Sequence, residues 1–396
     1  MSELRRDDWS GGANNMASAE RIPSGQARRL INLQPNRGGT LGLAPQFALE
    51  MPIAGVRAMF ELGGRLIVAA GTQLLSINPG TGAQIVLAAI APTGSVAAAE
   101  LNGRLYLRTS DERLSTDGLI VEPWGADNAA YHVEIVSGGI PAGLYKLAVT
   151  RMAGGHESGA DVMMLRLPEG SGLRLTAASA EPMAVYLSPR DSQTLYHCAE
   201  LQGFAVLTSE PDGAGRQLAT GGFAGMPPVD HLAAVGSMLV GAKGKLLFHT
   251  DPMRPHLVSQ VEGFVGFEDE IALLAPVPGS PTSVYVNTAT TNHILTGLGG
   301  SQVSRRVVAD FGAVSGTAVR LPDSSMSWFS RYGQVRATAD GELQLLHAKN
   351  FIPRTAEQGA SALLERDGEQ RVMTALRDSQ FNGLCVGDSW SIEVEL

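Results

Sequence analysis

Apolar residues in this chain come in short runs that alternate with polar ones, each closed by a glycine, asparagine, aspartate or proline turn. The run at 64–71 leads to a second at 73–77 and then to Asn78-Pro79-Gly80. The same grouping returns at 102–107, with a turn at Thr116-Asp117-Gly118. It comes back from about 236, 283, 326 and 362, the last copy turning at Asp367-Gly368. Alternation with a period of two predicts strands, and the glycine and Asp-Gly steps predict the tight turns between them. No long stretch holds a 3.6-residue apolar period, and 355–364 fits a short helix or the start of a strand equally well. The expected fold class is all-β.

Successive copies start roughly 35–47 residues apart, with one large gap, and that spacing suits a four-stranded propeller blade. A single blade exposes both faces of its sheet, and stacking blades buries them, which gives the repeat a physical reason. An irregular β-sandwich or a pair of barrels would space its turns similarly and stays open. The gap holds alternating strands at 141–150, 162–167, 172–175, 182–188 and 194–198, with a glycine-rich turn at 153–159. That pattern predicts an immunoglobulin- or fibronectin-like sandwich inserted into the body. Residues 1–50 are rich in turn chemistry, with one short strand expected within 27–33. They carry too little apolar surface to fold alone and are expected to lie along another body. The organisation read from the pattern is an extended arm at 1–50, a β-propeller-like body at 51–137 and 226–396, and the insert at 138–225.

Several short motifs point to a family. Trp9-Ser10-Gly11-Gly12-Ala13-Asn14-Asn15, Arg21-Ile22-Pro23-Ser24-Gly25, Leu30-Ile31-Asn32-Leu33 and Arg37-Gly38-Gly39 follow one another in the arm. Gly143 to Thr150 with Glu157-Ser158-Gly159, then Tyr186-Leu187-Ser188 and Leu195-Tyr196, mark the insert. Trp328-Phe329-Ser330-Arg331-Tyr332-Gly333 and Ala339-Asp340-Gly341-Glu342-Leu343 come late in the body. Together they resemble bacteriophage tail structural proteins of the tail hub (nozzle) or baseplate and tail-tip type. The resemblance implies a virion protein assembled in the host cytoplasm, acting as a ring or multimer with neighbouring tail proteins. It implies no enzymatic activity and no cofactor. Receptor or carbohydrate binding at the tail tip is the alternative, and a propeller-type polysaccharide hydrolase is a further one.

Composition narrows the field. Only 17% of the 396 residues are charged, with 47 glycines and 21 prolines, which suits many strands and turns and does not suit a helical bundle. The net charge of −9 argues against general nucleic-acid binding, leaving DNA at most a passenger through a conduit. Two cysteines, Cys198 and Cys385, make no disulfide framework. Residues 1–8 are polar and lack the apolar core of a secretory signal, so synthesis in the cytoplasm is expected. No apolar stretch reaches the ~20 residues of a membrane span.

Within this acidic chain the arm gathers arginines. Arg21, Arg28, Arg29 and Arg37, with Asn32, are the candidate docking residues for an acidic neighbouring subunit, set against a plain solvated basic tail or a DNA-facing one. Arg5 and Arg6 add to the cluster. The eight histidines form no HExxH or HxH pair. His156-Glu157 with Asp161 is one conceivable divalent-metal set, set against a plain solvated turn. His249 and His256 flank a proline-stiffened loop at 251–255 that could face a ligand. A glycosidase needs two carboxyls in one cleft. The densest acidic run is Glu262, Glu268, Asp269 and Glu270, which also reads as a solvated loop. Trp124, Tyr131 and Trp390 are either contact anchors or core residues.

Overall fold

The computed structural model describes residues 8–30, 33–36, 38–43, 51–300, 302–338, 340–353, 356–366, 369–377 and 392–395. Among the described residues regular structure is almost wholly β, with a single turn of 3₁₀ helix at Ala19–Arg21. The chain divides into two compact units. One comprises 54–268 and 298–301, and the other 1–53, 269–297 and 302–396.

In the first unit, sheet I runs through Val56–Leu62, Arg65–Ala70, Gln73–Ile77 and Gln84–Ala89 in simple antiparallel order. Sheet II repeats the plan with Ala97–Leu101, Arg104–Arg108, Arg113–Thr116 and Val121–Pro123. Later in the chain, sheet V builds on His231–Val235, Met238–Lys243, Leu246–Asp251 and Arg254–Ser259, with Phe264–Gly266 and Phe223–Ala224 added at its margins. Their central strands are largely buried, and apolar side chains from neighbouring sheets cover them. Ile67, Ala69 and Leu74 of sheet I pack against Leu105 and Leu107 of sheet II. The opposite face of sheet II, with Ala97 and Leu101, packs against Leu239 and Val258 of sheet V. A fully buried Leu or Ile stabilises by about 1.5–3 kcal/mol relative to an exposed one, so this face-to-face series is the main favourable term. Ser76 is buried, accepts from Arg65 Nε at 2.7 Å and donates to the Gly118 carbonyl at 2.6 Å, which pins the 116–118 turn onto sheet I.

Between sheets II and V the chain makes two more sheets. Sheet III pairs Tyr131–Ile140 with Ser171–Ala177 and Phe204–Leu207, and sheet IV joins His156–Glu157, Gly143–Ala153, Met163–Leu167, Met183–Leu187 and Tyr196–Leu201. The two share one core, to which Leu173, Leu175 and Leu207 contribute from sheet III and Leu147, Val149 and Val185 from sheet IV. A core shared between two sheets makes this a two-layer sandwich. Its first strand starts at Tyr131.

The second unit repeats the stacking. Sheet VI holds Ile271–Pro276, Val284–Thr288, Asn292–Thr296 and Ser304–Ala309. Sheet VII holds Val319–Arg320, Met326–Ser330, Gly333–Ala337 and Leu343–Leu345. They share a core that includes Tyr285, Ile294, Met326 and Trp328. Sheet VIII is Gln358–Arg366, Glu369–Arg377 and Ile392–Glu395. So 358–364 are strand, while residue 355 lies outside the described residues. Gln358 bridges to Ser315, and Thr374 donates to Gln334 Oε1 at 3.2 Å.

The arm belongs to this unit. Within 27–33, Ala27 makes one parallel bridge to Ala13, and the regular pairing begins at Leu33, where Leu33–Pro35 meets Leu41–Leu43. Asn36 explains that hairpin, because its Oδ1 accepts from Gly38 N and Thr40 N and folds the turn. Asn14 organises the preceding segment in the same way. Its Oδ1 accepts from Met16 N and Ala17 N, and its Nδ2 donates to Gln26 Oε1 at 2.7 Å.

Candidate functional site

A cleft of about 170 Å³ in the first unit is lined by Arg104, Tyr106, Ser115, Glu122, Trp124, His156 and His256. Sheet II supplies one wall. Tyr106, Ser115 and Glu122 lie directly opposite one another on three adjacent strands, so their side chains share a face. Arg104, two residues from Tyr106, joins that face. Its Nη2 donates to Glu122 Oε2 at 2.6 Å and to Ser115 Oγ at 3.2 Å. Burial raises the Tyr106 phenol above its ordinary range.

Trp124 follows the last strand of sheet II and is buried, with its ring edge-to-face on Tyr106 at 5.4 Å. Its Nε1 donates to the Pro255 carbonyl at 2.7 Å, which ties sheet II to the strand carrying His256. Gly125, in the left-handed region, lets the chain pass; a Cβ there would lie 2.8 Å from His256 Cβ.

The third wall comes from the sandwich. Gly154 and Gly155 both have positive φ and form a two-residue hairpin turn that presents His156. The His156 and His256 rings stack at 4.5 Å with 28° between their planes. His256 is buried and its Nδ1 has no partner within the protein. Burial pushes its pKa down to about 4, with the charges of His156 and Arg254 acting in the same direction. His256 is therefore uncharged at ordinary pH, and its stack with His156 offers a flat, polarisable surface. With the balanced Arg104–Glu122 pair and the Tyr106 ring, it suits a small polar ligand that both donates and accepts hydrogen bonds.

The other candidate sets are spread apart. Glu157 turns away from His156 to accept from Thr150 Oγ1 at 2.8 Å, Tyr186 OH at 2.6 Å and Arg216 Nη2 at 3.1 Å. Asp161 accepts from Asn128 and Gln260. These three residues serve three different contacts, and among the described residues no group of three His, Cys, Asp or Glu side chains is arranged to hold a metal. His249 is buried, with its Nε2 3.1 Å from the Glu262 carbonyl. Asp269 accepts from Thr290 Oγ1 at 2.9 Å. Arg21, Arg28 and Arg29 are exposed on the arm, while Asn32 and Arg37 lie outside the described residues, as do Trp390 and Cys385. Tyr131 is half-buried. Cys198 is half-buried, and burial pushes its thiol up to about 11.

No family model matches this chain, and no curated protein matches it. Among solved structures it is similar to the computationally designed Ika8 protein, at 12% identity over 85% of this chain and 87% of that one, with a TM-score of 0.36. It is similar to regucalcin from Agrobacterium tumefaciens, a calcium-binding protein, at 10% identity over 88% and 91%, with a TM-score of 0.33. AztD from Citrobacter koseri gives 12% identity over 74% and 84%, with a TM-score of 0.28.

The cleft was not legible from sequence. His156 and His256 each stand in turn-rich text, and nothing local pairs residues a hundred positions apart. The one usable signal was that both follow glycine- or proline-rich turns, where side chains tend to be presented.

Proposed function

We propose that this chain is a structural component of a bacteriophage tail, at the hub or at the baseplate and tail tip. In this reading the sheets are blades of a propeller-like body at 51–137 and 226–396. The two-layer sandwich is an inserted immunoglobulin- or fibronectin-like domain, and 1–50 is an assembly arm. The protein works by fitting to neighbouring tail proteins as a ring or multimer, with no catalysis and no cofactor.

The observation that carries the proposal is the free edge of sheet III. Phe204–Leu207 is the last strand of that sheet, and it presents Phe204 and Val206 at 66% and 46% exposure. Edge strands are ordinarily blunted by charge, proline or cover, because an open apolar edge pairs with other chains. Met164 on the edge strand of sheet IV is 74% exposed. These edges suit burial by neighbours in an assembly. The motifs in the arm, insert and late body support the same reading.

Electron microscopy of purified particles, with this chain located by labelling, tests the proposal. Incorporation that is lost in Phe204→Ser/Val206→Ser, with the variant still folded, is expected. A monomer absent from particles would overturn it.

A second reading, ligand binding at the tail tip, is favoured by the cleft around Tyr106 and the stacked histidines. Labelled protein should then bind host cells or their surface polysaccharide, and Tyr106→Ala should abolish that binding.

A further inference from the structure

Sheets VI and VII meet through Tyr285, Ile294, Phe311, Met326 and Trp328. The strands Val284–Thr288 and Asn292–Thr296 pair in regular register, Tyr285 opposite Ile294 and Asn287 opposite Asn292. Residues two apart on a strand share a face, so the two asparagines extend the apolar face that meets sheet VII. Both are fully buried. None of their four amide atoms, Oδ1 and Nδ2 on each, has a hydrogen-bond partner within the protein.

The nearby polar groups are engaged elsewhere. Thr288 Oγ1 accepts from Thr290 N and Thr291 N, closing the hairpin turn, and Thr291 Oγ1 meets His293 Nε2 at 2.8 Å. Tyr285 OH donates to the Thr338 carbonyl at 2.9 Å. On the facing sheet, the buried Trp328 Nε1 is also without a partner, with its ring 5.4 Å from that of Tyr285. Buried polar groups in native proteins are almost always satisfied, so a cluster of orphans on one interface needs a partner from outside the chain.

The chemistry of the orphans selects that partner. A metal cation would satisfy the two carbonyl oxygens and leave both NH₂ groups and the indole unpaired. An anion would do the reverse. Water donates and accepts, so it satisfies both kinds, and the conclusion holds whichever way each amide is flipped. We infer that Asn287 and Asn292 hold an internal structural water site that bridges their two carboxamides at the seam between sheets VI and VII. Such a site acts as a directional pin on an otherwise apolar interface, fixing the register of one sheet on the other.

Two measurements on the full chain test this. A crystal structure of the unmodified protein should show a fully occupied water within about 2.7–3.2 Å of an amide atom from each asparagine. In a double-mutant cycle, Asn287→Leu and Asn292→Leu should each lower the urea midpoint, since each leaves its partner orphaned. The double variant should unfold at a higher midpoint than either single one, since neither carboxamide is left orphaned. Three crystallographic outcomes would overturn the inference: the amides bonded directly to each other, an ion contacting both oxygens at about 2.0–2.6 Å, or no bound molecule. Strictly additive losses in the cycle would overturn it as well, and the crystal result stands even where a variant fails to fold.

Discussion

Asn15 and Ile352, 337 residues apart, hold each other by two hydrogen bonds: Asn15 Nδ2 donates to the Ile352 carbonyl and Ile352 N donates to Asn15 Oδ1, both at 2.8 Å. A third bond, Asn15 N to the Asn350 carbonyl at 3.1 Å, makes the contact a clasp. The side chain of Asn14 folds the arm on itself, and that of Asn15 fastens it to the body. The Asn-Asn pair therefore serves both tasks that the arm's poor apolar content leaves undone.

Replacing Asn15 with alanine removes both side-chain bonds. At about 0.5–1.5 kcal/mol each, and with both at the surface, the expected loss is about 1–2 kcal/mol. Amide exchange at Ile352 should speed up while that in sheets I and II stays unchanged. Unaltered exchange at Ile352 would show that the clasp does not hold the arm.

The buried His256 makes stability depend on acid. Its folded pKa, near 4, lies below the ordinary 6.5. Below pH 6.5 the unfolded chain takes up a proton that the folded chain resists. The contribution is therefore present above pH 6.5 and lost as pH falls toward 4. The urea midpoint of the first unit should drop across that window, and His256→Gln should flatten the drop. Identical pH profiles for the two proteins would remove His256 as the cause.

Tyr186 gives the alkaline counterpart. Burial first, then its hydrogen bond to Glu157 and the charge of that carboxylate, push the phenol up to about 12. Its contribution is intact below the ordinary value of 10 and is lost as pH rises toward 12. Phenolate absorbance should show this tyrosine titrating only with unfolding of the sandwich. Tyr186→Phe should cost about 1–2 kcal/mol, because Glu157 keeps Thr150 and Arg216 but loses its shortest donor.

Gly159 tests how closely the sandwich is fitted to its neighbour strand. A Cβ there would lie 1.9 Å from the Phe223 carbonyl oxygen, which is backbone and cannot swing aside. Gly159→Ala should destabilise by about 1–3 kcal/mol. Gly266→Ala, where a Cβ meets nothing within 4 Å, should stay within about 0.5 kcal/mol. Equal thermal midpoints for the two variants would contradict the packing described.

Much of the secondary structure could be read directly. The runs at 64–71, 73–77, 102–107 and 326–330 became Arg65–Ala70, Gln73–Ile77, Arg104–Arg108 and Met326–Ser330. The gap strands emerged likewise, 162–167 as Met163–Leu167 and 182–188 as Met183–Leu187. The stretch 355–364 was ambiguous because alanines serve helix and strand alike; pairing of Gln358–Arg366 with Glu369–Arg377 decides it. Trp124 is in the core. The metal set around His156 dissolved because adjacent strand residues point to opposite faces. His156 meets His256 while Glu157 meets Tyr186.

By itself, the sequence determined what alternation and turn residues can dictate: short strands, tight turns, an all-β chain and a polar arm that needs a support. These are local properties, written within ten residues of one another. Tertiary structure alone decided which faces meet. It stacked His156 on His256, buried Asn287 and Asn292 in an apolar seam, and joined Asn15 to Ile352. Each depends on the order and angle in which sheets pack, and packing is fixed by the summed burial of many side chains, which no single segment encodes.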